Sequence, residues 1–434
     1  MLRYESTRPR TLLIAIIALS VLLGCLYVFS VPPGLPYDEP AHFNTVRYYA
    51  SHFTLPVLGS PETNYEAYQA PLYYSLMAPL DRLAQPLGAR TELYLMRMVG
   101  LLLLIPLGLL AYRVMTRVFG VDSPLALLAT AFVCLNPALL GIASSVQNDM
   151  LSIVLSFWII DKVGRSIEDA PLTTRSALQL GALISVAMLA KMSVVFFPIP
   201  IAWFAWTRYG RASLRYMATV LGVIVVCTGW WFVRNKVLYG EFTALNTMQK
   251  LAVQSAAVIP LWKPSVLVPY LRNFLAYGWL PVDYFRALIK SSLWERVVVL
   301  GFTLVAVVGW WLAGRSPRER PAEGSYDFRK FLFVAYGVCF GIYFYAYFKC
   351  NAYPPRVLYP MFLAYAVFYS FGLGHIFRRF SALDGRVALA GFSLMLVLLS
   401  ISMCRKAHGY RAIDFLPDVN HYPMLTTKTK TTAT

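Results

Sequence analysis

Charged residues are scarce in this chain of 434 residues. Asp, Glu, Lys and Arg together make up 14 % of the sequence, whereas a soluble domain carries about 25 %. Hydrophobic residues make up 58 %, and the mean hydropathy is +0.57. Apolar runs of roughly 20 residues recur along the chain, which is the length of a helix that spans lipid. The composition therefore excludes a soluble enzyme with a single anchor and predicts an all-α, polytopic integral membrane protein.

The motifs of several enzyme classes are also missing. The six cysteines show no metal-site spacing, and the chain has no Walker A loop, HExxH motif, GxSxG elbow or kinase signature. We therefore predict no metal ligands and no certain cofactor; a divalent metal is compatible with the sequence, but nothing indicates one. The two long connections between apolar runs contain no N-x-S/T sequon, which weakly favours a bacterial source.

The apolar runs predict about eleven transmembrane helices in a helical bundle. Lys and Arg concentrate in the short even-numbered connections, which places the N-terminus in the cytoplasm and the C-terminus outside. We expect a multi-pass protein of a bacterial cytoplasmic (inner) membrane. The predicted spans lie near 12–31, 97–116, 124–142, 149–163, 176–190, 192–207, 213–232, 295–314, 330–348, 357–376 and 386–404.

Two long connections, 32–96 and 233–294, both fall on the predicted outer side. Their aromatic and apolar composition argues against disorder, and Tyr68–Leu87 and Val266–Ile289 resemble helices that lie at the membrane interface. The predicted organisation is an N-terminal transmembrane module with a catalytic first outer loop (1–232, loop 32–96), a second outer loop with interfacial helices (233–294), C-terminal transmembrane helices (295–404) and a partly disordered outer tail (405–434).

The acidic pair Asp38–Glu39 directly follows the first apolar run, and His42 lies one turn later. Ionisable groups where the chain leaves a bilayer are functional by default. Asp38 is therefore a candidate general base at the membrane surface; the alternative is that the pair only caps the next helix. His42 either orients a carboxylate or binds a phosphate, or it is a simple hydrogen-bonded interface histidine.

Four further residues lie at predicted outer helix ends. Asp149 is either a second acidic group of the site or the N-cap of span four. Lys191, between two apolar runs, either reaches to the interface or contacts an anion. Arg234 ends span seven next to a tryptophan pair. Arg356 opens span ten, where a cation is electrostatically unfavourable at a helix N-terminus, and binding an anion would explain it.

Together these elements resemble those of the GT-C glycosyltransferases, in particular the protein O-mannosyltransferases and the lipid A aminoarabinose transferase. The matching elements occur in family order across residues 10–375: YDEPAH, QAPLYY, QND, LAKMS, WWxxRNxxxYG and RVLYP. Each is weak alone, but the ordered set on one face is moderately specific. The chain departs from the family before Leu72-Tyr73-Tyr74, where a His or Lys and two prolines are common and this sequence has Gln69-Ala70-Pro71.

The resemblance implies an enzyme that moves a sugar from a polyprenyl-phosphate donor to an acceptor hydroxyl on the outer face, with inversion. Asp38 would be the general base, and Glu39 a catalytic neighbour that positions donor or acceptor. The implied substrate-binding residues are His42, Tyr73, Asp149, Lys191, Arg234 and Arg356, of which Lys191, Arg234 and Arg356 would contact the donor phosphate. The expected partners are the lipid-linked donor, an unknown glycan, lipid or protein acceptor, and membrane lipid, without nucleic acid.

The residues fit this chemistry independently of the resemblance. A lipid phosphate is a good leaving group, so transfer needs one carboxylate to accept a proton and cations to stabilise the departing phosphate. Two other classes stay open: a transporter or flippase of lipid-linked sugars, which should show ionisable residues within several spans, and a non-catalytic membrane assembly protein.

Overall fold

The computed structural model describes residues 8–36, 38–120, 123–168, 171–252, 278–281, 291–315, 323–350, 355–379 and 385–409. These residues form helices joined by short turns, which confirms the predicted all-α class. The first half of the chain contains α1 (Arg8–Ser30), α2 (Glu39–His52), α3 (Leu72–Ala84), α4 (Ala89–Leu102), α5 (Leu104–Phe119), α6 (Pro124–Cys134), α7 (Pro137–Ala143), α8 (Asp149–Val163) and α9 (Thr174–Ala190).

The second half continues with α10 (Pro198–Tyr209), α11 (Ala212–Tyr239), α12 (Leu245–Ala252), α13 (Leu293–Ala313), α14 (Glu323–Cys350), α15 (Phe362–Arg379) and α16 (Gly385–His408). Short 3-10 helices lie at Tyr65–Tyr68, Gln85–Leu87, Met192–Phe196 and Pro355–Met361, and a π-helix lies at Gly164–Glu168.

Each of the eleven predicted spans coincides with one of these helices or with a broken helix pair. Six segments in the described part of the chain are long and apolar enough to cross a membrane, and a bent pair makes a seventh. The protein is therefore a multi-pass membrane protein. Three of the four remaining spans lie in shorter helices, such as α9 with 17 residues and α10 with 12, so the number eleven stays a prediction.

The third predicted span is a bent pair, with 50° between α6 and α7. Pro137 begins α7, and a proline cannot continue a helix without removing a backbone hydrogen bond. Asn136 caps the new helix, because its Oδ1 accepts from the backbone N–H groups of Ala138 and Leu139, while its Nδ2 donates to the carbonyl of Gly278 at 2.9 Å. The break is therefore fully hydrogen-bonded.

Small residues bring α13 and α15 into backbone contact. A Cβ added at Gly309 would lie 2.0 Å from the carbonyl oxygen of Gly372, and one added at Gly372 would lie 2.2 Å from that of Ala306. Membrane helices gain their association largely from such close packing. This pair holds the C-terminal part of the bundle together.

The first outer loop forms a small helical layer with its own core. Helices α2, α3 and α4 enclose Phe43, Val46, Tyr74, Met77 and Met96, all of which are buried. The interfacial helix predicted at Tyr68–Leu87 is present as α3 and its flanking turns. The one predicted at Val266–Ile289 lies outside the described residues except for 278–281, as does the tail beyond 409.

The two ends of α8 carry different side chains. Asp149 begins the helix, whereas Asp161 near its other end forms ion pairs with Arg165 at 2.5 Å and with Arg113 of α5 at 3.2 Å. Two of the basic side chains from the predicted cytoplasmic connections, Arg113 and Arg165, therefore lie at the end opposite Asp149. Which end faces the cytoplasm stays a prediction.

Candidate functional site

Asp38 lies in the turn between α1 and α2, with backbone angles φ 65° and ψ −5°. A non-glycine residue in this left-handed region is strained, and such strain concentrates at functional sites. Its side chain does not cap α2. Instead the carboxylate is 5 % exposed, accepts a 2.6 Å hydrogen bond from the Tyr65 hydroxyl, and accepts another from Nη2 of Arg356. The carboxylate therefore points away from its own helix.

Arg356 reaches this carboxylate from the other end of the sequence. It belongs to the 3-10 helix Pro355–Met361 that leads into α15, and its side chain is buried. Its Nε lies 3.9 Å from Oδ2 of Asp149, so one guanidinium stands between two carboxylates. In this structure the anions beside Arg356 are the carboxylates of Asp38 and Asp149.

Lys191 pairs with the second carboxylate. It ends α9 in extended backbone, and its Nζ donates to Oδ1 of Asp149 at 2.6 Å and to Oδ1 of Asn148 at 3.0 Å. Asn148, not Asp149, is at the N-cap of α8, and it makes no side-chain capping bond. Oδ2 of Asp149 has no hydrogen-bond partner among the described residues. Asp149 therefore belongs to a polar site rather than to a helix cap.

Asp38, Asp149, Lys191 and Arg356 form what we call the carboxylate–cation cluster. All four are at least nine-tenths buried, with exposures of 5, 3, 8 and 8 %. Two negative and two positive charges balance, which is how charged groups are tolerated in a poorly solvated place. The fold thus brings together four residues that the sequence predicted for one site, from helix ends spread over more than 300 positions.

A buried histidine and a buried glutamate border the cluster. Nδ1 of His42 lies 2.8 Å from the Tyr74 hydroxyl, and its Nε2 lies 3.9 Å from Oε2 of Glu66. The pKa of His42 is lowered to about 3, chiefly by burial; Asp38 opposes this lowering, and Lys191 and Arg356 contribute to it. His42 is therefore neutral and hydrogen-bonded, and it offers no positive charge to a phosphate.

Burial also changes the protonation of Glu66. Its pKa is raised to about 8, first by burial and then by the negative charge of Asp38. A protonated Glu66 at neutral pH adds no net charge to the site. Glu66 lies on the short 3-10 helix Tyr65–Tyr68, and the same helix carries Tyr65, whose hydroxyl bonds Asp38.

Glu39 adjoins Asp38 in sequence but has a separate environment. Its two oxygens accept from Nε and Nη2 of Arg97 at 2.8 and 2.6 Å, and from the backbone N–H groups of Gly34 and Val146 at 3.0 and 3.1 Å. Arg97 also donates to the carbonyls of Val28, Val31 and Pro32. Both side chains are fully buried. The structure therefore does not place Glu39 beside Asp38 in the cluster.

Of the other two predicted residues, Tyr73 lies within electrostatic reach of Asp149 and bonds the backbone of Gln147, whereas Arg234 contacts a different segment. Tyr73 is buried in the loop core, edge-on to Tyr74 with ring centroids 5.4 Å apart. Arg234 donates from Nη2 to the carbonyl of Pro56 at 2.6 Å and lies over the Trp231 ring at 5.0 Å. The expected contribution of Arg234 to the same phosphate site is therefore not supported by its position.

Tyr65, Glu66 and Arg97 were not among the predicted site residues. Tyr65 and Glu66 lie in the irregular part of the first outer loop, where no periodic pattern indicates burial. Arg97 did leave a signal, because it is the first residue of a predicted span and a charge at that point needs a partner. Its partner, Glu39, is 58 residues away, and only the fold shows the pair.

The cluster does not have the form of a metal site. Each of its carboxylates already bonds a cationic side chain, and the described part of the chain contains no group of three or more His, Cys, Asp or Glu residues placed to hold a metal ion.

Comparison with solved structures agrees with this geometry at the level of the fold. An oligosaccharyltransferase from Archaeoglobus fulgidus, tethered to an acceptor peptide, matches with a TM-score of 0.50 at 11 % identity, over 94 % of this chain and 56 % of that chain. ArnT from Cupriavidus metallidurans bound to undecaprenyl phosphate matches with a TM-score of 0.49 at 14 % identity, over 93 % and 74 %. No protein-family model matches the sequence, and no curated protein matches it.

The chain has the membrane fold of the oligosaccharyltransferase, so the fold expected from the sequence resemblance is confirmed. It spans a little over half the length of that protein. At 11 % identity the likeness concerns architecture, and the chemistry has to be argued from the residues of this chain.

Proposed function

We propose that the protein is a membrane glycosyltransferase that moves a sugar from a polyprenyl-phosphate donor to an acceptor hydroxyl. The observation that carries the proposal is the carboxylate–cation cluster, in which two carboxylates and two cations converge from four helix ends. Structural pairs normally saturate their oxygens, but Oδ2 of Asp149 lacks a hydrogen bond and Asp38 is held in strained backbone. Both features are typical of a site that awaits a ligand.

The fold supports the same reaction class. An oligosaccharyltransferase has this architecture, and its structure contains an acceptor peptide. The acceptor of this chain does not follow from that neighbour, because the match covers only 56 % of that protein. The motifs that resemble GT-C enzymes include the segments of all four cluster residues.

In the proposed reaction Asp38 accepts the proton of the acceptor hydroxyl as its oxygen attacks the anomeric carbon. The bond between that carbon and the phosphate oxygen breaks, and the polyprenyl phosphate leaves with the bonding electrons. Direct displacement inverts the anomeric configuration. General-base assistance of this kind contributes about 10²–10⁴-fold, and the leaving phosphate needs no proton when cations stabilise it.

Arg356 and Lys191 are the cations available to that phosphate. Without a donor they are neutralised by Asp38 and Asp149. A donor phosphate would take over part of the Arg356 guanidinium and leave an oxygen of Asp38 open to the acceptor hydroxyl. We therefore expect donor binding to precede productive acceptor binding.

Glu39 acts on this site through position. Its pair with Arg97 ties the start of α2 to the end of α1 and to α4, and its bond to the N–H of Val146 ties it to the segment before α8. Asp38 directly precedes Glu39, and Asp149 lies three residues after Val146, so this network fixes the backbone near both cluster carboxylates. We assign Glu39 and Arg97 the role of positioning residues.

The decisive experiment combines a deletion strain with the purified protein. Mass spectrometry of lipid extracts should show a polyprenyl-phosphate sugar that accumulates without the protein and disappears when the wild-type chain is restored. That lipid, added to purified protein in nanodiscs, should release free polyprenyl phosphate together with a glycosylated acceptor. A transporter would cause accumulation without release in the purified system, and that result would overturn the proposal.

A further inference from the structure

A pocket of about 340 Å³ opens at the far end of α2, away from the cluster. Its walls come from the last turn of α2, the segment that follows it, and α3, with Tyr49, Leu55 and Ser75 among the lining residues. Eleven residues of helix separate Asp38 from Tyr49, which is about 16 Å along the axis. The pocket lies at the lower end of the size range of small-ligand sites.

A buried polar group of the pocket wall and another beside the wall each have an atom without a partner. Tyr49 is 7 % exposed, and its hydroxyl has no hydrogen-bond partner among the described residues. Nη1 of Arg234 is also buried without such a partner, while its Nη2 bonds the carbonyl of Pro56, next to Leu55 of the wall. Burial raises the pKa of Tyr49 and the Arg234 charge opposes that rise, so the two groups are within electrostatic reach. Unsatisfied donors of this kind are costly unless a ligand occupies them.

A second guanidinium lies at the rim. The Arg82 side chain is stacked 3.5 Å above the centre of the Phe53 ring and is oriented by hydrogen bonds from Nε and Nη2 to the carbonyl of Ala50. Within the described residues Arg82 forms no ion pair. Phe53 has φ 55°, a left-handed conformation that is strained for an aromatic residue, yet its side chain is 76 % exposed. This backbone conformation of Phe53 places its ring, and the Arg82 guanidinium stacked on it, at the pocket.

An apolar face continues from the pocket along α3 and the turn after it. Leu76, Leu83 and Leu87 are 59, 78 and 60 % exposed, whereas Tyr74 and Met77 on the same helix are buried. In a multi-pass protein, an amphipathic helix with exposed leucines lies in the headgroup region of the bilayer. The pocket therefore opens where lipid headgroups are found.

We propose that this pocket binds the anionic phosphate headgroup of a membrane lipid, with Arg82, Arg234 and the Tyr49 hydroxyl as its donors. The lining includes no Asp or Glu that would repel a phosphate. The exposed leucines give the acyl chains of the same lipid an apolar path. A free sugar or a soluble phosphate would use the polar groups but leave that path unoccupied.

Two aromatic rings connect the pocket to the border of the cluster. The Tyr74 ring stacks on Tyr49 with centroids 5.6 Å apart, and the Tyr74 hydroxyl bonds His42. A lipid in the pocket would therefore contact Tyr49, one ring away from the residue that bonds His42. Lipid binding itself does not depend on the proposed transfer reaction, and the two can fail separately.

Native mass spectrometry of the full-length protein tests the proposal, with phosphatidylglycerol as the probe and phosphatidylcholine as the zwitterionic comparison. The wild type should retain phosphatidylglycerol selectively. Arg82→Gln and Arg234→Gln should each weaken its binding by about 10-fold or more, as expected for loss of a charge-assisted hydrogen bond. Tyr49→Phe should have a smaller effect, because the ring still stacks on Tyr74. If Arg82→Gln does not fold, Arg82→Lys is measured in its place; it keeps the charge and should weaken binding less, because only the planar guanidinium is lost.

The matched control is Arg90→Gln, which removes an exposed arginine at the start of α4. It should bind phosphatidylglycerol as the wild type does, and Asp38→Asn should do the same. Equal retention of phosphatidylglycerol by all variants would overturn the pocket assignment. Displacement of the lipid by millimolar inorganic phosphate would overturn the lipid assignment and identify a soluble-anion site.

Discussion

Asp38 and Glu39 are neighbours in sequence and differ in almost every physical respect. Glu39 is fully buried, and its oxygens accept four hydrogen bonds, two of them from one arginine. Asp38 is slightly exposed, lies in strained backbone and is bonded by one tyrosine and one arginine. A saturated buried pair fixes the backbone, whereas a carboxylate with an exchangeable partner can act on a ligand. The comparison separates a positioning residue from a candidate base within a single dipeptide.

The largest expected effect tests the reactive half of this comparison. Asp38→Asn should lower the transfer rate by at least about 10²-fold, because an amide cannot accept the acceptor proton. Its melting temperature should fall less than that of Glu39→Gln, because the amide still bonds Tyr65 and Arg356 keeps Asp149 as a second carboxylate neighbour. Transfer rates and thermal unfolding of the purified variant measure both. Asp327→Asn, at a half-exposed aspartate of α14, is the control, and near-normal transfer by Asp38→Asn would refute the assignment.

The second prediction tests the positioning half. Glu39→Gln leaves the buried Arg97 charge unpaired, and breaking a buried pair in this way costs about 3–5 kcal/mol. The melting temperature should therefore fall clearly, and activity should fall in proportion to the folded fraction. The double variant Glu39→Gln/Arg97→Gln removes both charges and should recover part of the stability. A stable Glu39→Gln protein without activity would instead support a direct catalytic role.

A smaller effect is expected for the cations of the cluster. Arg356→Ala and Lys191→Met should each weaken binding of undecaprenyl phosphate by roughly 10–150-fold, the value of one charge-assisted contact of about 1.5–3 kcal/mol. Arg356→Lys should recover only part of the binding, because the planar fork is lost. Titrations on purified protein decide this, with Lys330→Gln as the control for net charge. Unaltered affinity in both variants would make these residues structural partners of Asp38 and Asp149.

The last comparison concerns pH. Because burial raises the pKa of Glu66 to about 8 from its ordinary 4.5, the folded protein holds a proton that the unfolded chain releases. The stabilisation is complete below pH 4.5 and is lost as the pH rises to about 8, with a slope of at most about 1.4 kcal/mol per pH unit.

His42 has the opposite sign in a lower window. Its pKa is lowered from 6.5 to about 3, so its contribution is complete above pH 6.5 and is lost as the pH falls towards 3. Unfolding measured between pH 6.5 and 8 therefore reports on Glu66 and on Asp81, whose pKa burial also raises to about 8. Glu66→Gln should reduce the slope, whereas Glu62→Gln, at an exposed glutamate of the same loop, should leave it unchanged. An equal slope in both variants would contradict the buried position of Glu66.

Local patterns in the sequence sufficed for the helices and for part of the site. Apolar runs long enough to span lipid favour helices, because a helix satisfies all of its backbone hydrogen bonds within the one segment, and every predicted span coincides with a helix or a broken helix pair. The polar residues at one set of helix ends were visible for the same reason: a charge beside an apolar run is conspicuous. This was enough to propose Asp38, Asp149, Lys191 and Arg356 for one site.

The partners of these residues were decided only by the tertiary structure. Sequence spacing could not show that Asp38 bonds Arg356, 318 positions away. It also could not show that Glu39 bonds Arg97 and not a residue of the cluster. It also could not tell that Arg234 bonds Pro56 beside a separate pocket, because a helix-end arginine has the same pattern in either place. Hydrophobicity is a property of one segment and is read along the chain. Charge pairing depends on the distance and burial of two side chains, and only the packing of the helices sets those.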